Sequence, residues 1–548
     1  MDDESPCERT SRNAVPALVS MDREEVFIMT TRTELAYQTR ETAARRQRDA
    51  AHPTQAVNED ETRYATRIAN FHKGLPHDAN GHVIPAAYES LRGALSSGLG
   101  ADFENIQLGL GRKLVNPQAG LALDLEGPDG QQPTMPPPPR LASAEQAAEM
   151  VENYWMALAR DVHFARYASD PLILRAATDL DKVTEYHGPT EARLLFRGDH
   201  VHDHAGPYLS QFMYLDTPFG AESVNRMMRT VVPGLDYGFK REDWLALQNG
   251  RDVTDKGTFD ATRRYIRNGR DLGEWVHIDA LYQAYFNACL ILLDAEAPFD
   301  ENNPYQGSQT QLGFGTFGGP HILSLVTEVA TRALKAVWHQ KWYVHRRLRP
   351  EAMAGLVDNQ LAGRVDYQDA LHGDLLASDA VKAVRERNQA HGADTVLLPL
   401  AFPEGSPTHP SYGAGHATVA GACVTILKAW FNESTRLVDI PRLKVRKTET
   451  YTGAVQATAD GMELEPYTGA DRKDLTVGGE LDKLAANVAI GRDFAGVHWR
   501  TDYRHSLRLG EAIAIGVLRD QRDTYNEKLR GNFQGFSLTT FDDQEIVV

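Results

Sequence analysis

The sequence predicts a mostly α-helical protein of bundled helices. Three observations carry this. Apolar residues recur at helical spacing through much of the chain after residue 143, convincing period-2 strands are few, and no repeat of about 20–50 residues marks a solenoid or propeller.

Residues 1–60 are polar and rich in Arg, Glu, Thr and Asp. Thr33 to Asp49 fits a charged helix with little apolar face, so 1–60 reads as a mobile arm or a segment wrapping a partner subunit, ahead of a body at 61–548. The stretch 126–140, EGPDGQQPTMPPPPR, ends in consecutive prolines that favour an extended chain. It reads as a linker between an N-terminal layer and the main body. Ser143 to Gln146 then fits a capping box opening a helix to about Val162. Further helices are expected at Ile278–Leu293, Ile322–His345, Thr418–Phe431 and Leu481–His498. Lys444 to Val455 is the best hairpin candidate.

Composition narrows the class. With 548 residues, 42% hydrophobic and 24% charged, the chain is globular and long enough to bury a large core without staples. A formal charge of −17 argues against non-specific nucleic-acid binding but leaves room for a locally basic pocket. Cys7, Cys289 and Cys423 have neither metal nor redox spacing, and an odd count cannot pair fully within one chain. The N-terminus has no apolar h-region, and no apolar run approaches a membrane span. The default expectation is a soluble cytoplasmic protein with no membrane partner.

Several common motifs are missing. There is no GxxxxGK[ST], HExxH or CxxC. Gly109-Leu-Gly111, beside Arg112, is too short for a dinucleotide fingerprint and reads as a loop. Asn432-Glu-Ser434 is a sequon without meaning unless the chain is secreted. Asn58 to Glu61 reads as a solvated acidic surface.

Three segments look unlike ordinary helix surface. Lys341-Trp-Tyr-Val-His-Arg-Arg-Leu-Arg349-Pro350 ends an apolar helix in a basic cluster, with Pro350 as the expected stop. His409-Pro-Ser-Tyr-Gly-Ala-Gly415-His416 is a turn entering a small-residue helix, whose first N–H groups make an anion seat with His416 on its rim. Arg492-Asp-Phe-Ala-Gly-Val-His498 is followed by Asp502, four residues on, where a continuing helix would let the carboxylate orient the imidazole. Each has an ordinary explanation when taken singly: a basic helix cap, a capped helix start, a surface ion-pair ladder. Together they describe a tetrahedral-oxyanion pocket. Lys341, Arg349 and Arg492 neutralise the anion, one histidine bonds its central atom, and the other moves protons.

These residues resemble the vanadium-dependent haloperoxidases, specifically the red-algal and cyanobacterial bromoperoxidase-like branch. That family shares its anion pocket with the type 2 phosphatidic-acid-phosphatase superfamily. Lys341 with Arg349-Pro350, Pro410-Ser411 through Gly415-His416, and Arg492 with His498 and Asp502 match the family's three motifs. The strings ANFHKGLPHD at 69–78, SLVTEVATRALKAV at 324–337 and FSLTTFD at 536–542 also look like this branch.

The resemblance implies two four-helix bundles per subunit, with the active-site part at about 315–520. It implies vanadate held by Lys341, Arg349, Arg492 and the Gly415 N–H, with His498 as axial ligand to vanadium. His416 would be the acid–base residue and Lys341 would polarise bound peroxide. His409, like the bromoperoxidases, and Trp338, like the fungal chloroperoxidases, would set halide selectivity, with bromide and iodide expected. Ala414 stands where the family carries a serine, so a hydroxyl contact to the cofactor is absent. Partners implied are hydrogen peroxide, halide, small organic substrates and further copies of the chain, as a dimer-based oligomer up to a dodecamer. Some members hold a structural calcium; Asp300 to Gln311 lies in the corresponding region, with few carboxylates. Two other functions use the same pocket: an acid phosphatase or phosphotransferase in which His498 attacks phosphorus, and a non-catalytic oxyanion-binding oligomer.

Overall fold

The computed structural model describes residues 23–548 except 255, 256, 530 and 532, with side chains from residue 32 onward. Residues 1–22, including Cys7 and the start of the expected arm, lie outside the described residues. The chain divides into two units after Asp49. The described part of the first is α1 (Arg23–Asp49), a charged helix with i,i+4 pairs such as Glu41–Arg45 at 2.8 Å along its surface.

The second unit is built on helices. α2 (Ala144–Ala159) packs with α3 (Pro171–Leu180), and with α6 (Pro350–Leu361) and α7 (Asp379–Ala390) later in the chain. Between these in sequence come α4 (Gln283–Asp294) and α5 (Gly319–His339). A second group joins α5 to α8 (Gly415–Lys428), α9 (Val477–Phe494) and α10 (Arg500–Arg522). α5 buries Ile322, Leu325, Val326, Val329 and Ala333 on one face. α9 is buried along its whole length, as expected of a helix at the centre of a large core.

α8 and α10 cross backbone to backbone. A Cβ on Gly421 would sit 2.0 Å from the Leu507 carbonyl oxygen, and one on Gly510 would sit 1.9 Å from that of Thr418. Only glycine permits this approach at either position.

Strands are short and antiparallel: Thr217–Phe219 with Glu222–Val224, Lys444–Arg446 with Glu449–Thr450, Val455–Ala457 with Leu464–Pro466, and Ser537–Thr539 with Glu545–Val547. The expected Lys444–Val455 hairpin is therefore two things: a tight hairpin that closes by Thr450, and the start of a second ladder at Val455.

Other boundaries also differ from the sequence reading. Pro350 does not stop a helix; it occupies the first turn of α6, where its missing N–H costs nothing. The helix expected from Ile278 begins at Gln283, leaving Asp279 in a loop. The helix expected through His498 ends at Phe494, and Gly496 follows at φ 78°. The stretch 126–140 packs on the body, with Met135 buried against Val337 of α5, Tyr412 and Leu509 of α10. The acidic run at 58–61 is not a solvated surface. Asp60 is buried and accepts from the Leu141 N–H, and Glu61 pairs with Arg346 at 2.5 Å. Cys289 and Cys423 are buried free thiols. Among the described residues no helix is long and apolar enough to cross a membrane.

Candidate active site

The three sequence motifs converge at one end of the α5–α8–α9–α10 group. After His339, α5 widens into a π-helical turn, Gln340–His345, closed by the Arg346 N–H bonding back to the Lys341 carbonyl. Lys341 on that turn is fully buried, and its Nζ donates to the Pro410 and Ser411 carbonyls at 2.9 and 3.0 Å. Arg349 caps α6 from the N-terminal side, with no side-chain bond to that helix. Its guanidinium donates instead to the His409 carbonyl, to the Val497 carbonyl at 2.7 Å and to His498 Nε2 at 3.0 Å. Arg492, in the last turn of α9, donates to the Val276 carbonyl at 2.9 Å and lies over the Phe402 ring. Its Nε is buried without a partner.

α8 starts at Gly415, with Ala414 as its N-cap and no side-chain cap. The Ala414 N–H is held by Ser506 Oγ at 2.8 Å, which orients the turn. The Gly415 and His416 N–H groups fall in the first turn, where a helix has no internal acceptors. His416 Nε2 lies 3.0 Å from Asp279 Oδ1.

His498 and Asp502 meet, although they share no helix. His498 sits in the turn before α10, and Asp502 is three residues into the helix after its N-cap, Trp499. The fold back places Asp502 Oδ2 2.8 Å from His498 Nδ1. A carboxylate there holds the proton on Nδ1 and leaves the Nε2 lone pair facing Arg349. Asp502 is itself fixed by Ser411 Oγ, by the Trp499 N–H and by Arg347 at 2.8 Å. Arg347 also pairs with Glu149 of α2 at 2.6 Å, so the other helix group supports the imidazole through a buried ion chain.

The charges are unbalanced. None of Lys341, Arg349 and Arg492 has a carboxylate within ion-pair distance among the described residues. Burial pushes Lys341 well below the usual lysine range, with Arg349 and Arg492 adding to the effect. Burial likewise lowers Arg349 to about 9 and Arg492 to about 10. Burial, then Arg349 and Lys341, holds His498 well below an ordinary histidine, so Nε2 stays unprotonated. A cavity of about 230 Å³ opens onto His498, His416, Gly415, Arg492, His409 and Trp338. A tetrahedral oxyanion fits this setting: it supplies the missing negative charge, an acceptor for Arg492 Nε and a central atom for His498.

Every residue picked from the sequence is accounted for here. Lys341 and Arg349 lie in the wall behind the cavity; the others line it, except Ala414 and Asp502, which support it. The Trp338 and His409 rings approach to 5.0 Å, and Lys341 Nζ is 5.7 Å from the Trp338 ring. Asp300, in the region considered for calcium, is already engaged by the Asn302 N–H and by Ser537 Oγ at 2.6 Å, and no calcium ligands are assigned there.

Sequence reasoning missed Asp279, His277, Phe402, Glu404 and Arg112, all at or beside the cavity. They come from loops with no shared spacing. Arg112 follows the loop dismissed as a false fingerprint, which was the available hint. His277 stacks on Phe402 at 3.8 Å and bonds Glu404 Oε1 at 2.7 Å and Glu274 at 3.5 Å. Burial alone would lower His277, but the bonds to Glu274 and Glu404 outweigh it and raise its pKa. Burial alone would raise Glu404, but His277 outweighs it and lowers that carboxyl to about 2. The histidine's contribution is complete below about 6.5 and lost as pH rises through its raised pKa. That of Glu404 is complete above about 4.5 and lost as pH falls toward 2. The stability difference between wild type and Glu404→Gln should therefore peak between about pH 4.5 and 6.5 and shrink on both sides. Denaturant unfolding across pH 3–8 checks this; a difference independent of pH refutes it.

Comparison with known proteins shows the family. Residues 321–527 match the family description "VCPO second helical-bundle domain". A vanadium-dependent bromoperoxidase of Corallina pilulifera is 38% identical, with 86% of this chain and 90% of that one covered. One from Ascophyllum nodosum is 34% identical, with 92% and 91% covered. Among solved structures, the homohexameric second vanadate-dependent bromoperoxidase of Ascophyllum nodosum superposes with TM-score 0.86 at 29% identity, over 98% of this chain and 94% of that one.

Proposed function

The chain belongs to the vanadium-dependent bromoperoxidase family, and from that premise we propose how its own residues carry the reaction. It is a vanadate-dependent haloperoxidase, oxidising halide with hydrogen peroxide. The observation that carries the assignment of roles is the buried trio Lys341, Arg349 and Arg492, none ion-paired with a carboxylate among the described residues, around the His498 Nε2 lone pair.

Bound vanadate supplies a pentavalent Lewis acid that activates hydrogen peroxide toward halide. Lys341, Arg349, Arg492 and the Gly415 N–H would hold its oxygens, and His498 Nε2 would be the protein ligand. Asp502 keeps the His498 proton on Nδ1, so the ligating lone pair is always presented. His416, oriented by Asp279, would be the acid–base group that takes up and returns the peroxide proton. Lys341, held by the Pro410 and Ser411 carbonyls, would polarise peroxide at the site. Trp338 and His409 face the halide, and bromide and iodide are the preferred halides because both are easier to oxidise than chloride. The released oxidant halogenates electron-rich organic molecules.

Bromination of a phenol-type dye by apo-protein, with and without orthovanadate and with phosphate as competitor, tests this reading. Activity that requires vanadate and is suppressed by phosphate supports it. No bromination at saturating vanadate, with phosphate-ester hydrolysis instead, assigns the pocket to a phosphatase. Anion binding with neither activity makes the chain a binder.

Ala414 offers a direct affinity prediction. Restoring a hydroxyl by Ala414→Ser adds one charge-assisted hydrogen bond, about 1.5–3 kcal/mol. That corresponds to roughly 10–150-fold tighter vanadate binding. Reconstitution of apo-protein against free orthovanadate reads it; an unchanged half-saturation point refutes it.

Assembly as a homo-oligomer is part of the same proposal, with the segment ahead of the body as an arm engaging a partner subunit. Light scattering separates six copies from twelve, and loss of assembly on deleting residues 1–49 supports the arm. A monomer at micromolar concentration overturns the assembly proposal.

A further inference from the structure

A second cluster of ligand-type side chains lies away from the oxyanion pocket. His200 and His202 project from the short helical turn Val201–His204 and its N-cap. They meet Asp482, in the second turn of α9. Asp482 Oδ2 is 3.3 Å from His202 Nδ1 and 3.9 Å from His200 Nδ1, and one ligand atom from each residue lies within 4.8 Å of the others. Among the described residues this is the one such group of His, Cys, Asp or Glu.

We propose that His200, His202 and Asp482 bind a borderline divalent cation, zinc above all. A tetrahedral zinc with ligands at about 2.1 Å sets them roughly 3.4 Å apart, close to the 3.3 and 3.9 Å between Asp482 Oδ2 and the two histidines. Two imidazoles with one carboxylate are a zinc-type donor set; calcium and magnesium prefer all-oxygen sites.

The surroundings favour a metal. Lys428 holds Asp482 Oδ1 at 3.0 Å, which fixes the carboxylate and leaves Oδ2 turned to the histidines. Asp543 Oδ1 lies 2.8 Å from His200 Nε2, holding the proton there and leaving Nδ1 as the lone-pair nitrogen toward the cluster. A carboxylate behind a ligating histidine is the usual outer partner of such sites. A metal on Nδ1 displaces a long bond, 3.3 Å, from the His202 N–H. His202 is partly exposed, so a water can fill the fourth position. Asp482 and Arg492 are ten residues apart on α9, about 15 Å along its axis, so this cation stands apart from the oxyanion pocket. It ties together the 198–206 segment, α9 and the C-terminal segment at Asp543.

The test uses the full chain, stripped with a chelator and titrated with Co²⁺, then Zn²⁺. The expected result is one Co²⁺ per chain with the intense visible bands of four-coordinate cobalt, displaced by Zn²⁺. Those bands are lost in His200→Ala and His202→Ala. Asp543→Asn weakens binding about 10–100-fold. Vanadate-dependent bromination is retained in all three variants, which shows that they fold. Zn²⁺ raises the thermal midpoint of wild type but not of the histidine variants. Absence of four-coordinate bands in wild type, or bands unchanged in both histidine variants, overturns the proposal.

Discussion

His498→Ala is expected to lower bromide oxidation at saturating vanadate by on the order of 10³-fold, at the upper end of what one stabilising group supplies. The imidazole contributes the Nε2 lone pair that faces Arg349. Its neighbour Arg349 can only donate, and His409 Nδ1 is turned to Arg349 at 3.0 Å. The three cations remain, so the variant should still bind phosphate. Vanadium content after gel filtration, set beside phosphate affinity, separates loss of the ligand from loss of the pocket. Retention of both vanadium and activity would refute the assignment of His498.

Asp502→Asn is expected to damage both stability and activity. Asp502 is fully buried and compensates Arg347 at 2.8 Å. Removing one partner of a buried pair costs about 3–5 kcal/mol. Glu149 also pairs with Arg347, which places the loss at the lower end. The catalytic effect has a separate cause. An asparagine amide can donate to Nδ1, forcing the proton to Nε2 and abolishing the ligating lone pair. Reversing a catalytic imidazole's tautomer in this way costs about 10⁴-fold elsewhere. Unfolding free energy and turnover should therefore both fall, and added vanadate should not rescue turnover. A variant as stable and as active as wild type would show that Asp502 is a bystander.

The site was legible in the sequence wherever its residues lie in contiguous strings. Lys341 to Pro350, His409 to His416 and Arg492 to Asp502 each hold several functional groups at fixed spacing, so pattern alone exposed them. Asp279, His277 and Glu404 were not legible, because single loop residues carry no period and the pairs Asp279–His416 and His277–Glu404 each join residues more than a hundred positions apart. The helix class was legible because apolar periodicity is strong in α5 and α8 is a helix-length apolar run. Boundaries were less so. Pro350 suits a helix end or a helix start equally, and only the tertiary fold decides between them. The His498–Asp502 pairing was anticipated on a continuous helix, yet it joins the turn before α10 to the first turn of that helix. A spacing of four can also bring two residues together across a turn capped by the carboxylate itself.

The contact at Gly421 and Gly510 ties the anion seat to the protein's rigid frame. α8 carries Gly415 and His416, and α10 carries Asp502 and the Ser506 that holds the Ala414 amide. Main chain against main chain has no side chain to re-pack, so the two helices cannot drift apart or rotate under changes elsewhere. By contrast, His277, Phe402, Glu404 and Arg112 hang from loops. Variation can therefore proceed on two independent tracks: loop replacements can reshape what enters the cavity while the oxyanion cradle keeps its dimensions. A directed-evolution library confined to those loops should move substrate choice without eroding cofactor retention, whereas one reaching either glycine should lose both at once.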